Sequence, residues 1–206
     1  MICQGWPVLS LRNGFLFSLL ILSGALTGCA KNGATRWSNF PIPIYADQRI
    51  AGTVDAENDF IDAMSFWEQK TGRKLFEYKG IWNGSAPYTG TPENPGRILA
   101  NVVFFQSPWH TGSNVVGQTI VMSNNNQINN AMIMINPQLH FCHGDCSGWE
   151  WANSARKNLT HELGHFLGMR HNSENENDVM YPVLQSGGSI EELSVNQDEL
   201  RLLLEE

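Results

Sequence analysis

One stretch of the chain decides how the rest is interpreted: His161-Glu162-Leu163-Gly164-His165-Phe166-Leu167-Gly168-Met169-Arg170-His171. Residues four apart lie on one face of an α-helix, so His161 and His165 can direct two imidazole nitrogens at a single metal ion. Glu162 lies about a quarter-turn away, where its carboxylate can reach a metal-bound water rather than the metal. This pattern predicts a metal site on a helix, with Glu162 as its catalytic carboxylate.

A third histidine, His171, follows six residues after His165. On a continuing helix it would lie on the far side, so it can join the other two only if the helix ends between them. Gly168 stands where a residue of positive φ would end the helix and turn the chain back. Three neutral imidazoles leave the fourth position of a tetrahedral zinc open for water, as in catalytic sites. We therefore predict one catalytic Zn²⁺ held by His161, His165 and His171.

A second motif follows the predicted helix: Asp178-Val179-Met180-Tyr181-Pro182. Together the two motifs resemble those of the metzincin zinc peptidases, in which an extended histidine motif precedes a methionine turn. The turn is most similar to that of the matrixin branch, the family of matrix metalloproteinases. The resemblance implies that Met180 forms a hydrophobic floor beneath the histidines without binding metal, and that Tyr181–Gly188 forms a wall of the substrate pocket.

The remaining segments predict an α+β fold. Phe40–Tyr45 alternates and contains prolines, which favours an edge strand, and the spacing of apolar residues predicts a helix over Asp55–Thr71. Further strands are predicted at Lys74–Tyr78, Ile98–Phe105, Asn114–Met122 and Ala131–Asn136. The resemblance implies a metzincin-like zinc-peptidase domain, with a mostly antiparallel twisted sheet packed on two long helices. In that domain the methionine turn and a C-terminal helix, Gln197–Leu204, follow the zinc helix. The resemblance further implies that one sheet edge holds an extended substrate, and the expected edge is Ala131–Asn136 because it directly precedes the zinc helix.

The N-terminal region has the pattern of a secretion signal. Arg12 is the single charged residue among the first 28, and a short apolar run, Phe15–Leu22, follows it. The ending Leu26-Thr27-Gly28-Cys29 resembles the bacterial lipobox, so we expect residues 1–28 to be removed and Cys29 to be lipidated. The alternative is a plain signal peptide with a chance cysteine.

Lipidation at Cys29 would make the protein extracytoplasmic. It would be anchored through its lipid to a bacterial membrane, the outer membrane in a Gram-negative host, or to the cell surface. Residues 29–36 would then form a lipidated N-terminus and short tether, and residues 37–206 a single catalytic domain.

Cys142 and Cys146 are the two cysteines of the predicted catalytic domain. An oxidising compartment favours a disulfide between them, and a metal site with His140 or His143 is the alternative. Matrixins also carry a second zinc and calcium ions, bound by a His- and Asp-rich stretch ahead of the zinc helix. The corresponding residues here have a different spacing: His110, His140, His143 and Asp145. The sequence therefore leaves open a second structural metal, Ca²⁺ or Zn²⁺.

Composition limits the classes of function. The 206 residues carry a net charge of −7 with scattered basic residues, which excludes a nucleic-acid binder. We expect a monomer that hydrolyses peptide bonds in proteins or peptides, as a zinc metalloendopeptidase in which Glu162 activates the zinc-bound water. Two alternatives fit the same residues. One is a non-catalytic zinc-binding envelope lipoprotein, which has no need of Glu162, and the other is a zinc hydrolase of a non-protein amide.

Overall fold

Residues 34–84, 86–146, 148, 152–184 and 189–204 are described by a computed structural model. The predicted signal segment and Cys29 lie outside the described residues. None of the helices within the described part has the length and apolar character that crossing a membrane requires.

Strands come first along the chain and the helix with the histidines comes late. The elements are β1 (Arg36–Trp37), β2 (Ile42–Ala46), α1 (Gln48–Ala51), α2 (Val54–Thr71), β3 (Phe76–Ile81), β4 (Val102–Phe105), β5 (Gly117–Asn124), β6 (Gln127–Ile135), β7 (Phe141–Cys142), β8 (Asn153–Ser154), α3 (Ala155–Leu167) and α4 (Gln197–Leu204). The two long helices, α2 and α3, and the C-terminal helix α4 confirm the predicted arrangement. Gly72 ends α2 in a left-handed conformation, with φ 68°.

The main sheet is mostly parallel, so the predicted mostly antiparallel sheet is wrong. Its order is β1-β6-β4-β2-β3, with β5 added to β6. Only the β5–β6 pair is antiparallel among the pairs of this sheet. The physical reason lies in the connections, because helix α2 and long loops carry the chain back to the same end of the sheet between strands. The tight hairpin between β5 and β6 turns at Asn125 and Asn126, whose φ values are 51° and 62°.

Strand β6, which contains all but the last residue of the expected edge Ala131–Asn136, lies inside the sheet. Strand β5 pairs with it from Gly117 to Asn124, and β4 pairs with its other side. The expected edge is therefore wrong, because the hairpin folds β5 back over β6. Among the described strands β5 pairs with β6 alone, so β5 is an open edge of the sheet, and β3, which pairs with β2 alone, is another.

Strand β2 also lies inside the sheet rather than at the predicted edge, between β3 and β4. Its Pro43 is tolerated there because β4 pairs only with the last two residues of the strand, Tyr45 and Ala46. No ladder hydrogen bond with β4 is therefore lost at the proline.

Two tryptophans fix the position of α3 against the rest of the core. The indole of Trp67, on α2, donates a 2.8 Å hydrogen bond to the carbonyl of Thr160. The indole of Trp37, on β1, donates to the carbonyl of Phe166 at 2.8 Å and stacks on its ring. Because both bonds are buried, they hold the helix that carries the histidines in one orientation.

Candidate active site

Three histidine side chains converge at the end of α3. His161 and His165 project from successive turns of the helix and His171 from the segment that follows it, with their ligand atoms within 4.8 Å of one another. The Nε2 atom of His171 lies 3.3 Å from that of His161 and 3.1 Å from that of His165. Nitrogens bound to one tetrahedral zinc are about 3.3 Å apart, given the usual zinc–nitrogen distance. The donor set therefore fits a zinc ion.

The opposite ring nitrogens of the two helical histidines are bonded to backbone carbonyls. Nδ1 of His161 donates to the carbonyl of Val179 at 2.7 Å, and Nδ1 of His165 donates to that of Met169 at 2.8 Å. Each proton is thus held on Nδ1, which leaves the Nε2 lone pair for a metal. Burial lowers the pKa of His161 to about 3 and that of His165 to about 4, and it also lowers the pKa of His171. All three rings are therefore neutral at pH 7, the state that binds metal.

The end of α3 explains how His171 reaches the other two rings. Gly168 caps the helix with φ 106°, and its N–H donates to the carbonyl of His165 at 2.9 Å. The helix therefore stops at Leu167, as predicted, and the chain turns back. A Cβ at Gly168 would also collide with the carbonyl oxygen of Thr35. The positive φ and the lack of room for a Cβ both require glycine at position 168.

The predicted methionine turn lies beneath this site. Met180 is fully buried and packs against Gly164 of α3. The buried carboxylate of Asp178 accepts hydrogen bonds from the N–H of Met180 at 2.8 Å and from the side-chain amide of Asn172 at 3.0 Å. Asp178 thus joins the turn to the segment that carries His171, a role that the sequence alone did not assign to it.

Glu162 lies in the same cleft, beside the histidines rather than among them. Its side chain is almost fully buried, and Oε2 accepts a 2.6 Å hydrogen bond from the hydroxyl of Thr119 on β5. Burial raises the pKa of Glu162 to about 7, and the Thr119 hydrogen bond opposes that rise. A carboxyl group with this pKa can accept and return a proton near neutral pH.

A cleft of about 450 Å³ opens beside Glu162. Its walls come from the residues ahead of and at the start of β5, from the first turns of α3, and from the segment after Met180. The side chains around it include Val115, Val116, Asn153, Ser154, Lys157, Asn158, Pro182, Val183 and Leu184. Part of the predicted wall, Tyr181–Gly188, therefore borders the cleft, and residues 185–188 lie outside the described residues.

Cys142 and Cys146 form a disulfide. His143, inside this loop, bonds through Nδ1 to the buried carboxylate of Asp59 at 2.8 Å rather than to a cysteine-bound metal. Asp59 also accepts from the N–H of Gly144 at 3.0 Å. The same carboxylate of Asp59 accepts a 3.1 Å hydrogen bond from the guanidinium of Arg156, which lies on α3. The disulfide loop is therefore docked against both long helices, and the sequence offered no signal for Asp59.

The other polar residues considered for a second metal do not gather around one point. Nε2 of His110 lies 3.0 Å from the side-chain oxygen of Gln118, and the carbonyl of His140 accepts from the N–H of Asn153 at 3.0 Å. Within the described residues, His161, His165 and His171 are the one group of three His, Cys, Asp or Glu residues close enough to share an ion.

Comparison with known proteins finds one matching family profile and a set of matching solved structures. The profile of the family described as Matrixin matches residues 43–203, well over half of the chain. Among solved structures, the chain is similar to metalloproteinase-II from Bacteroides fragilis, with 12% identity and a TM-score of 0.38. That match covers 85% of this chain and 58% of the other, so the chain spans less than two thirds of the length of that protein. No curated protein matches the sequence significantly.

Proposed function

The chain belongs to the matrixin family of metallopeptidases, and on that premise we propose that it is a zinc-dependent endopeptidase that cleaves proteins or peptides. One observation carries the proposal: a buried carboxylate with a pKa of about 7, that of Glu162, borders the cleft that His161 and His171 also line. A site that only binds metal has no need of such a group, whereas peptide hydrolysis requires a general base beside the metal.

Each residue of the site has its own role in the proposed hydrolysis. His161, His165 and His171 would hold the zinc ion, which when bound supplies a Lewis acid that polarises the scissile carbonyl and acidifies water. The Glu162 carboxylate accepts the proton of the attacking water and returns it to the leaving amine. The cleft walls keep the carboxylate away from bulk solvent, so its pKa stays in the range where both transfers are possible.

The open edge of β5 supports an extended peptide as substrate. Gly117, at the start of the strand, lines the cleft beside Glu162. An extended chain can add to such an edge through main-chain hydrogen bonds, which bind a backbone regardless of its side chains. A peptide bond aligned along β5 would lie next to Glu162.

The proposal is tested by digestion of denatured casein and a peptide library, with and without a zinc chelator. We expect cleavage that the chelator abolishes and that added zinc restores. Stoichiometric zinc binding without cleavage of any peptide would instead favour the non-catalytic lipoprotein or the hydrolase of a non-protein amide.

We further propose that the protein acts outside the cytoplasm, anchored by lipid on Cys29. The apolar run Phe15–Leu22 and the lipobox-like ending at Cys29 support this location. The disulfide between Cys142 and Cys146 is also typical of oxidising compartments.

A further inference from the structure

We propose that Thr119, on the edge strand β5, is a positioning residue that holds the carboxylate of Glu162 in the orientation required for proton transfer. The inference rests on the proposed function, because it assigns a second residue to the same reaction. It follows from three features of the strand: a hydrogen bond, a close approach and a register.

The first feature is the hydrogen bond between the two side chains. Thr119 Oγ1 lies 2.6 Å from Oε2 of Glu162 and 3.1 Å from the backbone carbonyl oxygen of the same residue. A hydroxyl group has one proton to donate, and a carboxylate is the stronger acceptor. The shorter distance agrees with donation to Oε2. With Oε2 engaged in this way, Oε1 is the oxygen that we assign to accept the proton of water.

The second feature is the close approach of Gly117. Residues two apart lie on one face of a strand, so Gly117 and Thr119 both face Glu162. A Cβ at Gly117 would lie 2.7 Å from Oε1 of Glu162 and 2.9 Å from its Cγ. The backbone of β5 at Gly117 therefore lies against Oε1 and Cγ of Glu162, while Thr119 of the same strand face binds Oε2. Together they restrict the carboxylate to one position.

The third feature is the register of β5, which is determined by its antiparallel ladder with β6. Gly117 pairs with Ile135 and Thr119 with Ile133, both of which are buried. The strand that we propose to receive the substrate backbone therefore also holds the general base. Substrate and base would then both be positioned against the same strand, which would fix their placement relative to each other.

The test compares Thr119→Val, which keeps the shape and removes the hydroxyl, with Thr119→Ser, which keeps the hydroxyl. We expect Thr119→Val to lower kcat by about 10- to 100-fold with KM changed by less than about twofold, since misplacement of a reacting group by about 1 Å can cost that much. Thr119→Ser is expected to recover most of kcat. Thr119→Ala provides the same test if valine prevents folding.

Thr71→Val is the matched control. Its hydroxyl bonds with backbone groups around the end of α2: it donates to the carbonyl of Trp67 at 2.9 Å and accepts from the N–H of Arg73 at 3.4 Å. Thr71→Val also loses a threonine hydroxyl, but its kcat should equal that of the wild type. If Thr119→Val retains more than half of kcat, or if serine fails to rescue it, the assignment of Thr119 is overturned.

Crystal structures of the metal-free wild type and of Thr119→Val supply a second readout that needs no activity. We expect one Glu162 conformer bonded to Thr119 in the wild type, and a rotated or divided Glu162 side chain in the variant. An unchanged Glu162 in the variant would refute the positioning role. If the wild type cleaves no peptide, the proposed function fails, but these two structures still decide whether Thr119 positions Glu162.

Discussion

Met180 lies so close to Gly164 that no side chain fits at position 164. A Cβ there would collide with the sulfur of Met180 and would lie 2.8 Å from the ring of Trp67. The methionine turn therefore approaches the histidine helix as closely as the backbone permits. The packing of Met180 depends on the glycine in the middle of that helix.

Gly164→Ala should destabilise the protein despite the better helix propensity of alanine. The propensity gain of up to about 1 kcal/mol is outweighed by overpacking in the core, which typically costs about 1–3 kcal/mol. Thermal melting and zinc titration of the variant measure the effect, with the exposed helical substitution Gln69→Ala as control. A variant that melts above the wild type would contradict the close packing of Met180.

Gly168→Val should weaken zinc binding more than Gly168→Ala. The left-handed backbone at this position disfavours any Cβ by roughly 1–2 kcal/mol, and more for a β-branched side chain. The strain lies in the turn that brings His171 back to the other two histidines. The loss of zinc-binding free energy should therefore exceed the loss of stability that thermal melting of the metal-free protein reports. Zinc affinity of Gly168→Val equal to that of the wild type would mean that this turn does not place His171.

Glu162→Gln should retain the fold and bound zinc but lose at least about 100-fold in the rate of peptide hydrolysis, the usual range for loss of a general base. Activity assays and metal analysis of the purified variant measure both properties. The exposed carboxylate change Glu77→Gln is the control. Retention of a tenth or more of the rate would remove Glu162 from the role of general base.

The metal-free protein should lose stability as the pH falls from about 6.5 toward 4. His161 and His165 have depressed pKa values in the folded state, about 3 and 4, whereas in the unfolded chain they titrate near 6.5. The unfolded chain therefore binds protons at these two histidines preferentially in this interval, and each histidine costs up to about 2 kcal/mol at pH 5. Glu162 acts in the opposite direction, because its raised pKa of about 7 makes the folded state bind a proton first. The two histidines together outweigh this one carboxyl group, so the net effect is a loss. Denaturant unfolding at pH 7 and pH 5 measures the loss, which should be smaller in His161→Asn. An equal loss in that variant would show that other groups cause it.

Cys29→Ser should release the protein from the membrane fraction or leave the precursor unprocessed. The reason is that the lipid would be attached to the thiol of this residue. Fractionation and mass spectrometry of the N-terminus measure the outcome, and Cys3→Ser, in the segment expected to be removed, should remain anchored. Cleavage elsewhere, with Cys29 unmodified, would disprove lipidation.

The long helices α2 and α3, the C-terminal helix α4 and the grouping of the three histidines were predictable from the sequence because their signals are local, whereas the short helix α1 was not predicted. The histidines lie within eleven residues, and the glycine that ends the helix lies between them. Sheet pairing was not predictable in the same way, since nothing in the Phe40–Tyr45 segment reveals which strands will flank Pro43. The contact between Thr119 and Glu162 was not predictable because the two residues are 43 positions apart along the chain, and threonine is common in strands for its β-propensity alone.

The open edge of β5 also affects how the protein behaves in solution. The segment Gly117–Asn124 contains no lysine or proline, the residues that commonly protect exposed strand edges from unwanted pairing. An edge that accepts one extended chain can accept another, including the same strand of a second copy. We therefore expect concentrated samples without a bound peptide to self-associate and precipitate, and an added peptide that pairs with β5 to keep the protein soluble.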